Sequence, residues 1–149
     1  MNTTDRLAIL EAIQLYSYAI DSRDIEAYID LFTEQAIFKV TRGFSSQPFI
    51  HVEGRNGIRE WITATTVRWG DVQTRHHQTN TIFDSLSKNT ARTRTMLLES
   101  RAQPGASTVV AYTQGVYTDD WAYEADAWRI ASRALRLDTG STATHGETR

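Results

Sequence analysis

Two of the chain's four histidines stand side by side in its densest polar stretch, Thr74-Arg75-His76-His77-Gln78-Thr79-Asn80. On a strand successive side chains alternate between faces, so His76, Gln78 and Asn80 share one face while His77 and Thr79 share the other. One imidazole can then point inward while its neighbour points out. An inward His76 sets an imidazole and two amides along one wall of a cavity, a row able to polarise a carbonyl or hydroxyl. An imidazole works best as a base when a carboxylate holds its tautomer and stabilises the imidazolium formed on proton abstraction. The candidate carboxylate is Asp21, at the end of an otherwise apolar helix face, where an acid is costly without a partner or a task. Tyr18, three residues earlier on about the same helical face, is placed to add a phenol.

The elements that must position these groups follow from periodicity. From Asp5 to Ile20 the residues Leu7, Leu10, Ile13, Leu15 and Ile20 recur at spacings near three and four, the stripe of a first helix with one buried face. The stripe breaks at Asp21-Ser22-Arg23-Asp24, where Asp24 is placed to N-cap a second helix from Ile25 to Phe32. Ala36 to Val40 reads as a short strand, Gly43-Phe44-Ser45-Ser46-Gln47-Pro48 as a loop or lid, and a third helix begins near Asn56, carrying Ile58, Trp61 and Ile62 to the core. Beyond it, segments at about 73–84, 89–102, 107–121 and 126–138 are rich in strand-forming residues, with turns at Lys88-Asn89 and Gln103-Pro104-Gly105-Ala106-Ser107. Helices first and long strands afterwards predict an α+β domain in which an antiparallel meander, one curved mixed sheet, curls around the helices. Residues 139–149 are too polar to offset ordering entropy and are expected as a disordered tail to a single domain over 1–138.

Composition narrows the function classes. A hydrophobic share of 40% and a charged share of 23% are those of a globular chain with a real core. The formal net charge of -2 gives no field that gathers nucleic-acid phosphates, so no nucleic-acid partner is expected. Cys is absent, which excludes disulfides, thiolate metal sites and cysteine nucleophiles. The start leads directly into an amphipathic segment and no apolar run approaches a membrane span, so a cytoplasmic protein without membrane partners is expected. No metal is expected either, because adjacent His76 and His77 face opposite ways with no third ligand at useful spacing. His77 and His51 are expected to be structural or exposed. Trp61, Trp69, Trp121 and Trp128 are expected as core or interface aromatics, one or two of them lining an apolar cavity. Arg92, Arg94, Arg101, Arg129, Arg133 and Arg136 read as a solvated outer face or cross-strand ion pairs.

Tyr18-Ala19-Ile20-Asp21-Ser22-Arg23-Asp24 resembles the helix-end motif of the SnoaL-like superfamily, and Thr74 to Asn80 resembles that family's threonine, histidine and asparagine strand. A third match, Gly115 to Trp121 leading to Trp128-Arg129-Ile130-Ala131-Ser132-Arg133, is similar to the family's paired C-terminal strands. The resemblance implies a cone-shaped α+β barrel, with three N-terminal helices packed in the concave face of a mixed, mainly antiparallel sheet. In the scytalone dehydratase and hexachlorocyclohexane dehydrochlorinase branches these motifs carry an Asp-His dyad, which maps to Asp21 and His76. The strand from Ala91 to Ala102 holds no His, and Ile20 precedes Asp21, so the dehydratase's own substrate is not carried over.

The function so implied is a cofactor-free lyase or isomerase, of dehydratase, dehydrohalogenase or polyketide-cyclase type, in which His76 supported by Asp21 removes a proton from a small, largely apolar organic ligand. Tyr18, Gln78, Asn80, Trp61 and Tyr117 form the expected substrate-binding set. The rival is a non-catalytic binding or structural subunit, as in the small subunit of aromatic-ring dioxygenases. A homodimer is expected, with a homotrimer as the alternative, because a curled sheet leaves a broad outer face.

Overall fold

The computed structural model describes residues 3–138; the stretch 139–149, expected as a polar tail, lies outside the described residues. The chain forms helices α1 (Thr3–Ser22) and α2 (Ile25–Asp30), strands β1 (Phe32–Arg42) and β2 (Ile50–Glu53), helix α3 (Gly54–Trp69), then strands β3 (Gln73–Leu86), β4 (Thr90–Ala102), β5 (Val109–Glu124) and β6 (Ala127–Leu137). Helix α1 buries Ile9, Ala12, Ile13, Tyr16, Ala19 and Ile20, the three-and-four spacing of one helical face. Leu7 and Leu15, expected on that stripe, are exposed. Small Ala12 and Ala19 and the aromatic Tyr16 carry the buried arc instead.

The corner after α1 is closed by local chemistry. Arg23 takes a left-handed φ of 65°, which ends the helix, and the Asp24 carboxylate then accepts the Ala27 backbone N–H at 3.0 Å as N-cap of α2. Helix α2 ends at Asp30, earlier than expected, because Phe32 already belongs to β1, a longer strand than Ala36–Val40. Strand β2, four residues long, was not expected from the sequence: its span is too short for an alternation to register.

The strand order is β2-β1-β6-β5-β4-β3, parallel between β1 and β6 and antiparallel elsewhere. Helix α3 packs on β1 and β2 at one end of this mixed sheet while α1 packs on β3 at the other, so the sheet curls round the helices. This is an α+β fold of three N-terminal helices against a six-stranded mixed sheet. Ile58, Ile62, Phe32, Trp121 and Ile130 lie in the core, each fully buried apolar side chain contributing about 1.5–3 kcal/mol. Among the described residues no helix is long and apolar enough to cross a membrane.

Of the arginines expected on a solvated face or in cross-strand ion pairs, Arg133 forms such a pair, with Asp119 opposite it on β5, but inside the core. Trp121 pairs with Ile130 and Asp120 with Ser132, leaving Ala131 as an extra residue in β6. That slip reverses the alternation and turns Arg133 inward, where it is fully buried and not on a solvated face. Its Nε and one terminal nitrogen donate to the two Asp119 oxygens, each at 2.8 Å, and its plane lies 3.9 Å from the Tyr16 ring and 4.2 Å from that of Tyr117. Asp119→Ala leaves this cation buried without its counter-ion and is expected to destabilise the fold by about 3–5 kcal/mol, read as a fall in the urea midpoint. A change within a few tenths of a kcal/mol would show the pair to be dispensable.

Candidate active site

Asp21 lies in the last turn of α1, on the edge of its buried arc, and β3 meets it there. The His76 backbone N–H donates to Asp21 Oδ2 at 2.8 Å and the Thr74 hydroxyl donates to Oδ1 at 2.8 Å. His76 Nδ1 stands 2.6 Å from Oδ1, with both side chains almost fully buried at 6% and 8% exposure. The Gln73 amide adds a bond to the Asp21 carbonyl at 3.0 Å. Burial alone would raise the Asp21 pKa, but the His76 ring, its charge, its backbone N–H and the Thr74 hydroxyl outweigh it and hold the carboxyl below the ordinary aspartate value. An ionised carboxylate only accepts, so Nδ1 is the nitrogen that carries a proton toward Asp21, and Nε2 is the ring's other nitrogen.

His76 lines a cavity of about 520 Å³, within the range of small-molecule pockets. Phe38, Trp61, Trp69, Leu97 and Leu135 give it apolar walls. The Trp69 ring is centred 6.2 Å from the His76 ring. Glu99 pairs with His76 across β3 and β4, is buried, and accepts from Arg101 Nε at 2.6 Å; both line the cavity. Tyr16 and Tyr117 also line it, resting on the Arg133 stack, and the Tyr28 hydroxyl donates to that of Tyr16 at 3.0 Å. Burial foremost, and then the neighbouring Tyr16, push the Tyr28 and Tyr117 hydroxyls well above their ordinary value, so both stay protonated. Among the described residues no three His, Asp or Glu side chains cluster as metal ligands.

The residues singled out from the sequence fall into two groups. Asp21 and His76 meet, and Trp61 and Tyr117 line the same cavity. Tyr18 does not: it is 76% exposed, because it lies a further ~60° round the helix from Asp21, past the edge of the buried arc. Gln78 faces inward but reaches α1, donating to Ile13 O at 3.0 Å and Ser17 Oγ at 2.8 Å, and so braces the helix outside the cavity lining. Asn80 is exposed. Thr79 pairs with Met96 and Ile82 with Arg94, so a bulge intervenes, and Asn80 takes a left-handed φ of 55° there, breaking the alternation assumed for it. His51 and His77 are exposed, beside Glu53 and Ser100. Glu99, Arg101, Arg42 and Arg68 were missed as cavity residues. The inward alternation of Thr93, Thr95, Leu97 and Glu99 along β4 was the available signal for the first of them.

The family model of the SnoaL-like domain matches residues 1–134. The chain belongs to the SnoaL-like domain family. No curated protein matches it. Among solved structures, this SnoaL-like chain is similar to an NTF2-like protein with a cystatin-like fold from Novosphingobium aromaticivorans, at 26% identity and a TM-score of 0.75, over 94% of this chain and 86% of that one. A protein of unknown function from Mycobacterium tuberculosis is 25% identical over 93% of this chain and 77% of that one, with a TM-score of 0.76. The β subunit of benzoate 1,2-dioxygenase from Burkholderia mallei, 19% identical over 92% of this chain and 93% of that one at a TM-score of 0.77, shares the fold.

Because the Asp21 pKa is depressed in the folded chain, its contribution to stability is complete above the unfolded value of about 3.9 and is lost as pH falls through the folded value. Asp21→Asn is therefore expected to be less stable than the parent at neutral pH, with the gap closing in acid. Denaturant midpoints across the acid range check this, and a gap independent of pH would contradict it.

Proposed function

We propose that this SnoaL-like chain is an acid–base lyase or isomerase in which His76 Nε2 removes a proton from carbon beside an electron-withdrawing group of a small organic substrate. The observation that carries this reading is the 2.6 Å contact between His76 Nδ1 and Asp21 at the wall of an open, mainly apolar cavity. Asp21 fixes the tautomer that leaves Nε2 basic and stabilises the imidazolium that follows. The protonated Tyr117 hydroxyl is the lining group suited to stabilise a developing oxyanion without itself ionising. Elimination of water or halide, a double-bond shift and ring closure all share this proton abstraction, and the step needs no group beyond these side chains.

The open cavity beside the dyad favours catalysis over the subunit role of the dioxygenase β subunit, for which a filled barrel would serve. Association remains compatible with catalysis. Ile82 and Met96 are exposed close together on the adjoining strands β3 and β4, and we assign this apolar patch to a homodimer contact. Met96→Glu with Ile82→Glu is expected to halve the mass seen by sedimentation equilibrium; a parent that already sediments as a monomer would remove the assignment.

The catalytic proposal is tested with a panel of β-hydroxy ketones, vicinal halides and β,γ-unsaturated ketones. His76→Ala and Asp21→Asn should each lower kcat on any substrate found by about 10²–10⁴-fold while the fold persists by circular dichroism. Turnover unchanged in both variants would end the dyad assignment.

A further inference from the structure

The cavity's charges are unevenly matched. Arg42, Arg68 and Arg101 line it against one acid, Glu99, which is already engaged by Arg101 at 2.6 Å. Among the described residues neither Arg42 nor Arg68 has a carboxylate partner: Arg42 lies 4.0 Å over the Phe49 ring, and Arg68 donates to the Thr65 hydroxyl at 2.8 Å. Among the described residues, then, two cations stand against a mainly apolar wall without carboxylate counter-ions, in a chain whose net charge is -2.

They stand at the same end of it. Helix α3 and strand β1 run the same way, since Arg55 bonds Glu34 at 3.0 Å near their starts and the Trp61 and Phe38 rings are centred 4.6 Å apart further on. From that ring contact the helix runs ~10 Å to Arg68 and the strand ~13 Å to Arg42, which brings both guanidiniums to one end of the cavity. Trp69, next to Arg68, is the residue whose ring lies 6.2 Å from that of His76. This end therefore adjoins the proposed base.

We propose that the cavity takes an organic carboxylate, with its ring-sized apolar body against Phe38 and Trp61 and its carboxylate received by Arg42 and Arg68. The inference rests on the reading of this cavity as a substrate site. A bound anion supplies the counter-ion that neither arginine has among the described residues, and guanidinium is the side chain whose fork matches a carboxylate. The anion also places the carbons next to it in the part of the cavity beside Trp69 and the proposed base.

The probes are benzoate, cyclohexanecarboxylate and 2-naphthoate, each against its matching primary alcohol, titrated by calorimetry at low ionic strength. At least one acid is expected to bind tenfold or more tightly than its alcohol, with the gap narrowing as salt rises. In the double variant Arg42→Gln with Arg68→Gln the gap should close while alcohol affinity stays. If no acid outbinds its alcohol, including where neither binds, or if the gap survives the double variant, the proposal is overturned. His76→Ala separates the two readings. A wild-type chain that needs His76 for turnover but shows no acid preference overturns this inference alone, whereas an acid preference in a chain whose turnover ignores His76→Ala overturns the dyad alone.

Discussion

A carboxylate in the last turn of a buried helix is opposed twice, by loss of water and by the negative end of the helix dipole, and α1 carries no basic residue in that turn to offset either. Asp21 is tolerated there because β3 brings it three donors: the Thr74 hydroxyl, the His76 amide and the His76 ring. The docking of the first helix on the far end of the sheet and the assembly of the dyad are therefore one contact. This coupling holds His76 Nδ1 toward the carboxylate and leaves Nε2 as the ring's other nitrogen.

A second buried polar centre supports the first from below. Asp119 and Arg133 satisfy each other with two bonds, Gln78 accepts from the same guanidinium at 3.3 Å, and Gln78 also holds α1 through Ile13 and Ser17. Tyr16 and Tyr117 stack on that guanidinium and turn their other surfaces to the cavity. A buried ion pair of this kind adds little net stability over an apolar pair. Its effect here is positional: it sets the height of the aromatic floor beneath the cavity.

How much could be read from the sequence depended on whether alternation stayed unbroken. The element order, the Asp24 cap and the meander follow from local periodicity and capping chemistry, and the meeting of Asp21 with His76 needed only the helix-end and strand motifs. The burial of the Arg133 ion pair and the outward turn of Asn80 share one cause: an extra residue, Ala131 in β6 and one at Asn80 in β3, breaks the alternation there. Tyr18 was misplaced because the buried arc of α1 is centred on Ile9, Ile13, Tyr16 and Ile20, with Asp21 at its margin. Arg42 and Arg68 could not be found from any one segment, since what joins them is the parallel course of β1 and α3.

The barrel itself decides little about chemistry, because one fold hosts unrelated roles. What distinguishes this chain is how its polar groups divide between rigid and adaptable supports. Asp21 and His76 sit on the last turn of α1 and near the start of β3, locked by several bonds and nearly sealed from water. Arg42 and Arg68, without carboxylate partners among the described residues, sit where β1 and α3 run out into loops, on long side chains held by a ring and a hydroxyl. A base must hold its geometry to a fraction of an ångström, whereas a group that receives a charged handle can move with its ligand. With the proposed base on the locked elements and the proposed anion-receiving cations on the free ends, ligand recognition could vary without disturbing the carboxylate on which the helix end depends.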